Sequence, residues 1–376
     1  METQYTSRLE RIEAVLNRWL PEAPDSCWLE KVFGTQGKGV SPELAASITR
    51  PGRDLLDRGG KRWRPLLMLL VSEAIAGEGG AETALPLTPL VELSHNASLI
   101  HDDIEDNSDE RRGKPAVHLI YGADTAINAG AFMYFLPLAC LSVWGENIAG
   151  KANASTTNST ALFKDKIMTA WASHIRALHL GQAMDIAWHR DDHSLPGLDD
   201  YDRMCRLKTG CLARLAAILG VYCAGEYLSR EKCLSDSDLS LLMGLFTEAA
   251  ENLGVGFQIL DDVKNLGAGV PGKKRGDDIV EGKKSLPVLL YLHRYPEKRD
   301  FAAHCFTAAR AGGIGAPELD ELIQALGESG VLDEARAKGL EYIRKSRDVF
   351  SASNIGGFTL KNEGCRLLAG LIDFLV

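Results

Sequence analysis

The chain has 376 residues, enough for one large domain or two ordinary ones. Its 51 acidic residues outnumber 42 basic ones, and a formal charge of -9 argues against a nucleic-acid binder that depends on a basic surface. With 45% hydrophobic and 25% charged residues it reads as globular. The first residues lack a basic segment followed by an apolar run, and no stretch approaches ~18 uninterrupted apolar residues, so neither a secretory signal nor a membrane span is predicted. The eight cysteines contain no CxxC pair. They read as free thiols of a cytoplasmic protein, not as disulfides or zinc ligands.

Helical periodicity runs through nearly the whole chain. Leu9, Ile12, Leu16, Trp19 and Leu20 recur at spacings of three and four. Ser41 and Pro42 form a helix start, and Pro51-Gly52 is expected to interrupt that helix. Further helices are predicted over Arg64–Ala76, Leu85–Asp106, Ala123–Trp144, Leu162–Ala187, Tyr201–Leu228, Asp236–Asn265 and Ser285–His293, with more near the C-terminus. Two stretches break the pattern. Residues 145–160 are small and polar and read as a surface loop, and Leu266–Asp278 is rich in glycine and lysine. Neither separates independent units, so the reading is a single all-α domain over 1–376.

Two segments echo each other. Asp102, Asp103 and Asp106 end one apolar helix, and Asp261, Asp262 and Asn265 end another. Positions i and i+4 share a helix face, so Asp102 pairs with Asp106 and Asp261 with Asn265. Carboxylates held this close repel each other unless a cation lies between them. Oxygen ligands without histidine or cysteine suit magnesium or manganese, and magnesium prefers to share its shell with substrate phosphates. Cations cluster nearby. Lys61, Arg62 and Arg64 follow the glycine pair Gly59-Gly60 at a helix start, Arg111 and Arg112 follow the first acidic cluster, and Lys273, Lys274, Arg275 and Lys283 follow the second. Each group taken alone is an ordinary solvated run.

The stretch from His95 to Ser108, continuing to Gly113, resembles the first aspartate-rich region of trans-prenyl diphosphate synthases, above all the eukaryotic-type geranylgeranyl diphosphate synthases. GGKRWRP, HLGQAMDIAW, LKTG, GFQILDDVKNL and DDIVEGKKSLP follow in that family's order, so the resemblance covers Asp57 to Tyr291. It implies the isoprenoid synthase fold, an antiparallel helical bundle around a deep apolar cavity, in a homodimeric prenyltransferase that joins isopentenyl diphosphate to an allylic diphosphate. By the same resemblance Asp102, Asp103, Asp106 and Asp261 hold three Mg2+ ions on the allylic diphosphate, supported by Asp262 and Asn265. Arg111, Lys208, Lys273 and Lys283 grip that diphosphate, while Lys61, Arg64, His95 and Arg112 hold isopentenyl diphosphate. Gln182, Asp185, Thr209 and Gln258 line the reacting carbons and metals. Asn265 stands where many relatives carry a third aspartate, which leaves one charge fewer at the second cluster.

Ala97 and Ser98 lie five and four residues before Asp102, where farnesyl-making relatives often carry an aromatic residue that closes the cavity. This small pair predicts a longer, twenty-carbon product. Phe132, Met133, Tyr134 and Phe135 are candidates for a deeper floor. Three other readings compete: a terpene cyclase, which needs no second diphosphate site; a metal phosphohydrolase, which needs more histidines than His95 and His101; and a non-catalytic subunit, which would be expected to have degraded aspartate clusters.

Overall fold

A computed structural model describes residues 3–145, 154–230, 234–267 and 275–375. The principal helices are α1 (Thr3–Trp19), α2 (Pro42–Asp57), α3 (Trp63–Ala84), α4 (Pro89–Glu105), α5 (Ala123–Phe135), α6 (Ala154–His189), α7 (Cys211–Arg230), α8 (Asp236–Leu266), α9 (Val331–Phe350) and α10 (Asn362–Leu375). Further helices join them, and two-residue hairpins at Glu110–Arg111/Lys114–Pro115 and Asn354–Ile355/Phe358–Thr359 are the sheet structure among the described residues.

Helix α3 is buried on every side from Leu66 to Ile75, which marks a central helix, and it packs most extensively against α7. Its fully buried leucines, such as Leu66, Leu67 and Leu70, each contribute about 1.5–3 kcal/mol of burial free energy. Helix α7 also packs on α6 and α8, α8 on α9, α4 on α5, and α10 on α3. Helix α8 bridges two apolar clusters: Phe246, Leu253 and Leu260 belong to one, Val255, Ile259 and Val263 to the other. By length and composition alone two helical stretches could cross a membrane, Ala123–Val143 and Leu198–Arg230; they are 50% and 78% buried, and the second has the packing of a core helix.

The chain departs from the predicted boundaries where packing overrides local signals. Pro51 does not interrupt its helix; α2 runs to Asp57 with Pro51 and Gly52 buried, because Gly52 lets Met133 of α5 pack against the backbone. Ser41 caps α2 through its side chain, accepting from the Leu44 amide at 3.2 Å. The expected end at Ala76 is a kink at Gly77 (φ 69°) inside α3. The Ala123–Trp144 prediction divides at Leu136-Pro137 into α5 and a second helix, Pro137–Val143. The loop expected over 145–160 is only partly a loop: α6 begins at Ala154, so 154–160 are helical, while 146–153 lie outside the described residues. Between Leu198–Cys205 and α7 the backbone widens into a π-helical turn at Arg206–Gly210. Such turns often mark functional sites.

Glycines set the tightest approaches around that turn. A Cβ on Gly181 of α6 would lie 2.5 Å from the Lys208 amide nitrogen, and one on Gly254 of α8 would lie 2.8 Å from the Gly210 Cα. Only glycine lets these backbones touch. The seven described cysteines are free thiols, and all but Cys27 are buried.

Candidate active site

The ends of α4 and α8 open into one cavity of about 410 Å³, and both Asp102 and Asp261 border it. Gln182 and Asp185 of α6, Lys208 and Thr209 of the π turn, Gln258 and Asp262 of α8, and Lys283 line the same space. A cationic wall of Lys61, Arg64, His95 and Arg112 borders it too, and Arg111 lines it beside the acidic end of α4. Leu99, Tyr134, Leu178, Leu212 and Phe257 give the cavity an apolar side. Polar groups thus converge beside an apolar space, the common form of a small-molecule site.

At the α4 end each of the three aspartates has a cation. Lys208 Nζ lies 3.0 Å from Asp102 Oδ1 and 2.5 Å from Asp185 Oδ2. Gln182 Nε2 donates to Asp102 Oδ1 at 2.8 Å and to Glu105 Oε2 at 2.7 Å. Arg111 Nε donates to Asp103 Oδ1 at 2.7 Å, and Lys283 Nζ lies 2.8 Å from Asp106 Oδ2. Burial alone would raise Asp102, but Lys208, Lys283 and Arg111 hold it well below the usual carboxylate range. Burial pushes Asp103 and Asp106 up instead. Asp103 and Asp106 sit behind the cavity wall, within contact of cations that do border it.

The α8 end is built differently. Asp262 accepts from Tyr201 Oη at 2.7 Å, Gln258 Nε2 at 2.8 Å and the Leu286 amide at 3.2 Å. Burial, then the charge of Asp278, pushes Asp262 up to about 7. Gln258 Oε1 in turn accepts from Thr209 Oγ1 at 2.8 Å. Asn265 is 1% exposed and turned away from the cavity; its Oδ1 accepts from the Asp278 amide at 3.3 Å, bracing the short helix Asp277–Val280.

Of the cationic wall, Arg64 Nη1 lies 3.2 Å from His95 Nε2. Burial, followed by the charges of Arg64 and Arg112, holds His95 well below its ordinary value, so its ring is neutral. Lys61 Nζ donates to the carbonyls of Phe374 and Leu375 at 3.0 and 3.3 Å, at the C-terminal end of α10. Lys273 lies outside the described residues. Ala97 does not open into the cavity; it is 0% exposed within the core, and Ser98 borders the space instead. Among the candidate floor residues only Tyr134 lines the cavity. Phe132 stacks on Phe33, Met133 packs against Gly52, and Phe135 is exposed.

The sequence reading assigned no role to Glu92, Glu105, Tyr201 or Asp278, all of which border the cavity. Glu105 and Asp278 stand inside the matched motifs, so a signal existed; nothing in the sequence marks Tyr201. Among the described residues no three histidine, cysteine or acidic side chains converge to enclose a metal by themselves. The donor set still fits a hard cation, because Asp103 Oδ2 and Asp106 Oδ1 accept no hydrogen bond and the site offers several carboxylate oxygens.

The chain is similar to known proteins over most of its length. The polyprenyl synthetase family model matches residues 45–313. A geranylfarnesyl diphosphate synthase from Aeropyrum pernix is 31% identical over 86% of this chain and 91% of its own length. A geranylgeranyl pyrophosphate synthase from Eremothecium gossypii is 34% identical over 69% of this chain and 73% of its own. The crystal structure of geranylgeranyl pyrophosphate synthetase from Pyrococcus horikoshii superposes with a TM-score of 0.76 at 24% identity, covering 100% of this chain and 97% of that one. With its helices arranged as in that fold and its motifs gathered at one cavity, the chain belongs to the polyprenyl synthetase family and is a trans-prenyltransferase.

Proposed function

We propose that this chain, as a single isoprenoid synthase domain, condenses isopentenyl diphosphate with an allylic diphosphate and releases geranylgeranyl diphosphate. The observation that carries this reading is the double polarity of one cavity, which gathers acidic helix ends paired with Lys208 and Lys283 and a separate cationic wall of Lys61, Arg64, His95 and Arg112. A terpene cyclase has no use for the second wall.

The allylic diphosphate sits between the acidic clusters. Asp102, Asp103 and Asp106, with Asp261, would hold Mg2+ there, supported by Gln182, Asp185 and Asp262, while Asn265 braces the Asp277–Val280 helix behind them. Bound magnesium supplies Lewis-acid stabilisation of the departing diphosphate. Arg111, Lys208 and Lys283, together with Lys273, grip the same diphosphate and stabilise the charge that develops on it. Thr209 and Gln258, fixed by their mutual hydrogen bond, present oxygen dipoles to the allylic cation, and the apolar wall shields that cation from water. Lys61, Arg64, His95 and Arg112 orient isopentenyl diphosphate toward the cation. The departing diphosphate takes the proton lost from the new chain.

Exposed apolar side chains, Leu119, Ile120, Ile127 and Phe135 with Leu162 and Leu180 of α6, support a homodimer. The location proposed is cytoplasmic. Chromatography of products formed from each allylic diphosphate, with and without isopentenyl diphosphate and with and without Mg2+, tests the activity. Turnover of an allylic diphosphate without isopentenyl diphosphate would overturn it in favour of a cyclase. Because Ser98, not Ala97, borders the cavity, Ser98→Phe is expected to shift the main product from twenty carbons toward fifteen, read on the same chromatograms. An unchanged product length would remove Ser98 from chain-length control.

A further inference from the structure

The cationic wall holds two backbone outliers. Arg62 has φ 46° and Arg112 has φ 54°, left-handed conformations that non-glycine residues rarely adopt. Such strain persists only where surrounding contacts over-determine it, and here those contacts can be followed. Both guanidinium groups donate to one carbonyl, that of Gly59, Arg62 at 3.0 Å and Arg112 at 2.6 Å. Arg62 further donates to the Leu56 carbonyl at 2.6 Å, to Glu13 at 2.6 Å and to Glu92 Oε1 at 3.2 Å. Its donors are consumed by the protein, so Arg62 serves as a brace for the turn before α3 and not as a ligand for substrate.

Glu92 and Asn96, one turn apart on α4, stand behind this pair; Glu92 is 2% exposed and Asn96 0%. Asn96 Nδ2 donates twice to the same residue, to Glu92 Oε1 at 2.9 Å and to the Glu92 carbonyl at 2.8 Å. Those two acceptors fix the amide, since the flipped orientation would set oxygen against oxygen. Asn96 Oδ1 therefore faces Arg112 and accepts from its Nη1 at 3.3 Å. Arg112 completes its contacts with the Leu55 carbonyl at 3.0 Å. The buried carboxylate is also a counter-charge: Glu92 raises Arg64 and Arg112 against the burial that lowers each to about 10.

We infer that Glu92 and Asn96 are positioning residues that set Arg112 for the diphosphate of isopentenyl diphosphate before that substrate arrives. Glu92 anchors the amide of Asn96 and neutralises part of the cationic wall; Asn96 passes that anchorage to Arg112. The inference rests on the function proposed above, because it presumes that this wall receives the second diphosphate.

The test is a double-mutant cycle on the full chain with Asn96→Leu, Arg112→Ala and the pair, read as separate KM values for isopentenyl diphosphate and for the allylic diphosphate. Losing a hydrogen bond to a charged group predicts that Asn96→Leu raises the KM for isopentenyl diphosphate about tenfold. The allylic KM and kcat stay within about twofold, and the Asn96→Leu effect vanishes in the Arg112→Ala background. If Asn96→Leu does not fold, Asn96→Ser gives the same reading with a smaller perturbation. Equal shifts in both KM values, or an effect that persists without Arg112, overturn the positioning role while leaving the proposed reaction intact. A wild-type protein that shows no turnover dependent on isopentenyl diphosphate overturns both.

Discussion

The ends of α4 and α8 carry almost the same letters and solve the crowding of acids in opposite ways. At the α4 end charge answers charge: Asp102 meets Lys208, Asp103 meets Arg111 and Asp106 meets Lys283. At the α8 end Asp262 is surrounded by the neutral donors Tyr201, Gln258 and the Leu286 amide, and Asn265 carries no charge at all. An aspartate pair read from sequence is therefore two different physical objects. One is an electrostatic balance that a metal can re-partition. The other is a hydrogen-bonded frame that holds Gln258 toward Thr209 and leaves Asp261 at the cavity.

The comparison breaks most sharply at Asp102. Asp102→Asn removes the charge that Lys208 and the proposed metal share, and kcat/KM is expected to fall about 10³-fold, measured by steady-state condensation at saturating Mg2+. A loss below tenfold would show that the α4 end is not where charge is handled. Tyr201→Phe comes next. It deletes one donor to a buried carboxylate, so stability is expected to drop by about 1–2 kcal/mol in urea unfolding. In the same variant kcat should fall roughly tenfold through a loosened Gln258, with the KM for isopentenyl diphosphate unchanged. An unaffected kcat would confine Asp262 to a structural part. The smallest effect belongs to Asn265→Asp. Since Asn265 faces the Asp278 amide away from the cavity, turnover is expected to stay within about threefold, and stability to fall by about 1 kcal/mol as a second acid is buried beside Asp278. A large gain in Mg2+ affinity would instead place that side chain at the metals.

Much of this arrangement was legible in the residues. Apolar spacings of three and four gave the helices, and the motifs named Asp102, Lys208, Gln258, Asp261 and Lys283, all of which meet at one cavity. What the residues could not reveal is which side of a helix end faces the opening. Spacing of four puts Asp261 and Asn265 on one face, yet the nearby Asp277–Val280 helix covers the asparagine and takes its Oδ1 through the Asp278 amide. The same uncertainty of phase placed both Ala97 and Ser98 at the cavity, where Ser98 lies and Ala97 does not. Pro51 misled because its cost to the helix is offset by the packing of Met133 on Gly52, a contact about 80 residues distant that no local rule contains. Tyr201, Glu92 and Asn96 act through partners and carry no chemistry of their own in the sequence pattern. Their roles emerge only from the hydrogen bonds they make.

The bare backbone contacts at Gly181 and Gly254 have a mechanical consequence. With main chain resting on main chain, α6, the Lys208-Thr209 turn and α8 form a hub with no compressible side-chain layer between its parts. The mouth of the tunnel cannot be widened by rotamer changes at that hub. A longer or bulkier substrate must be accommodated at the far, apolar end, or by swinging whole rods against one another about the points where the glycines touch.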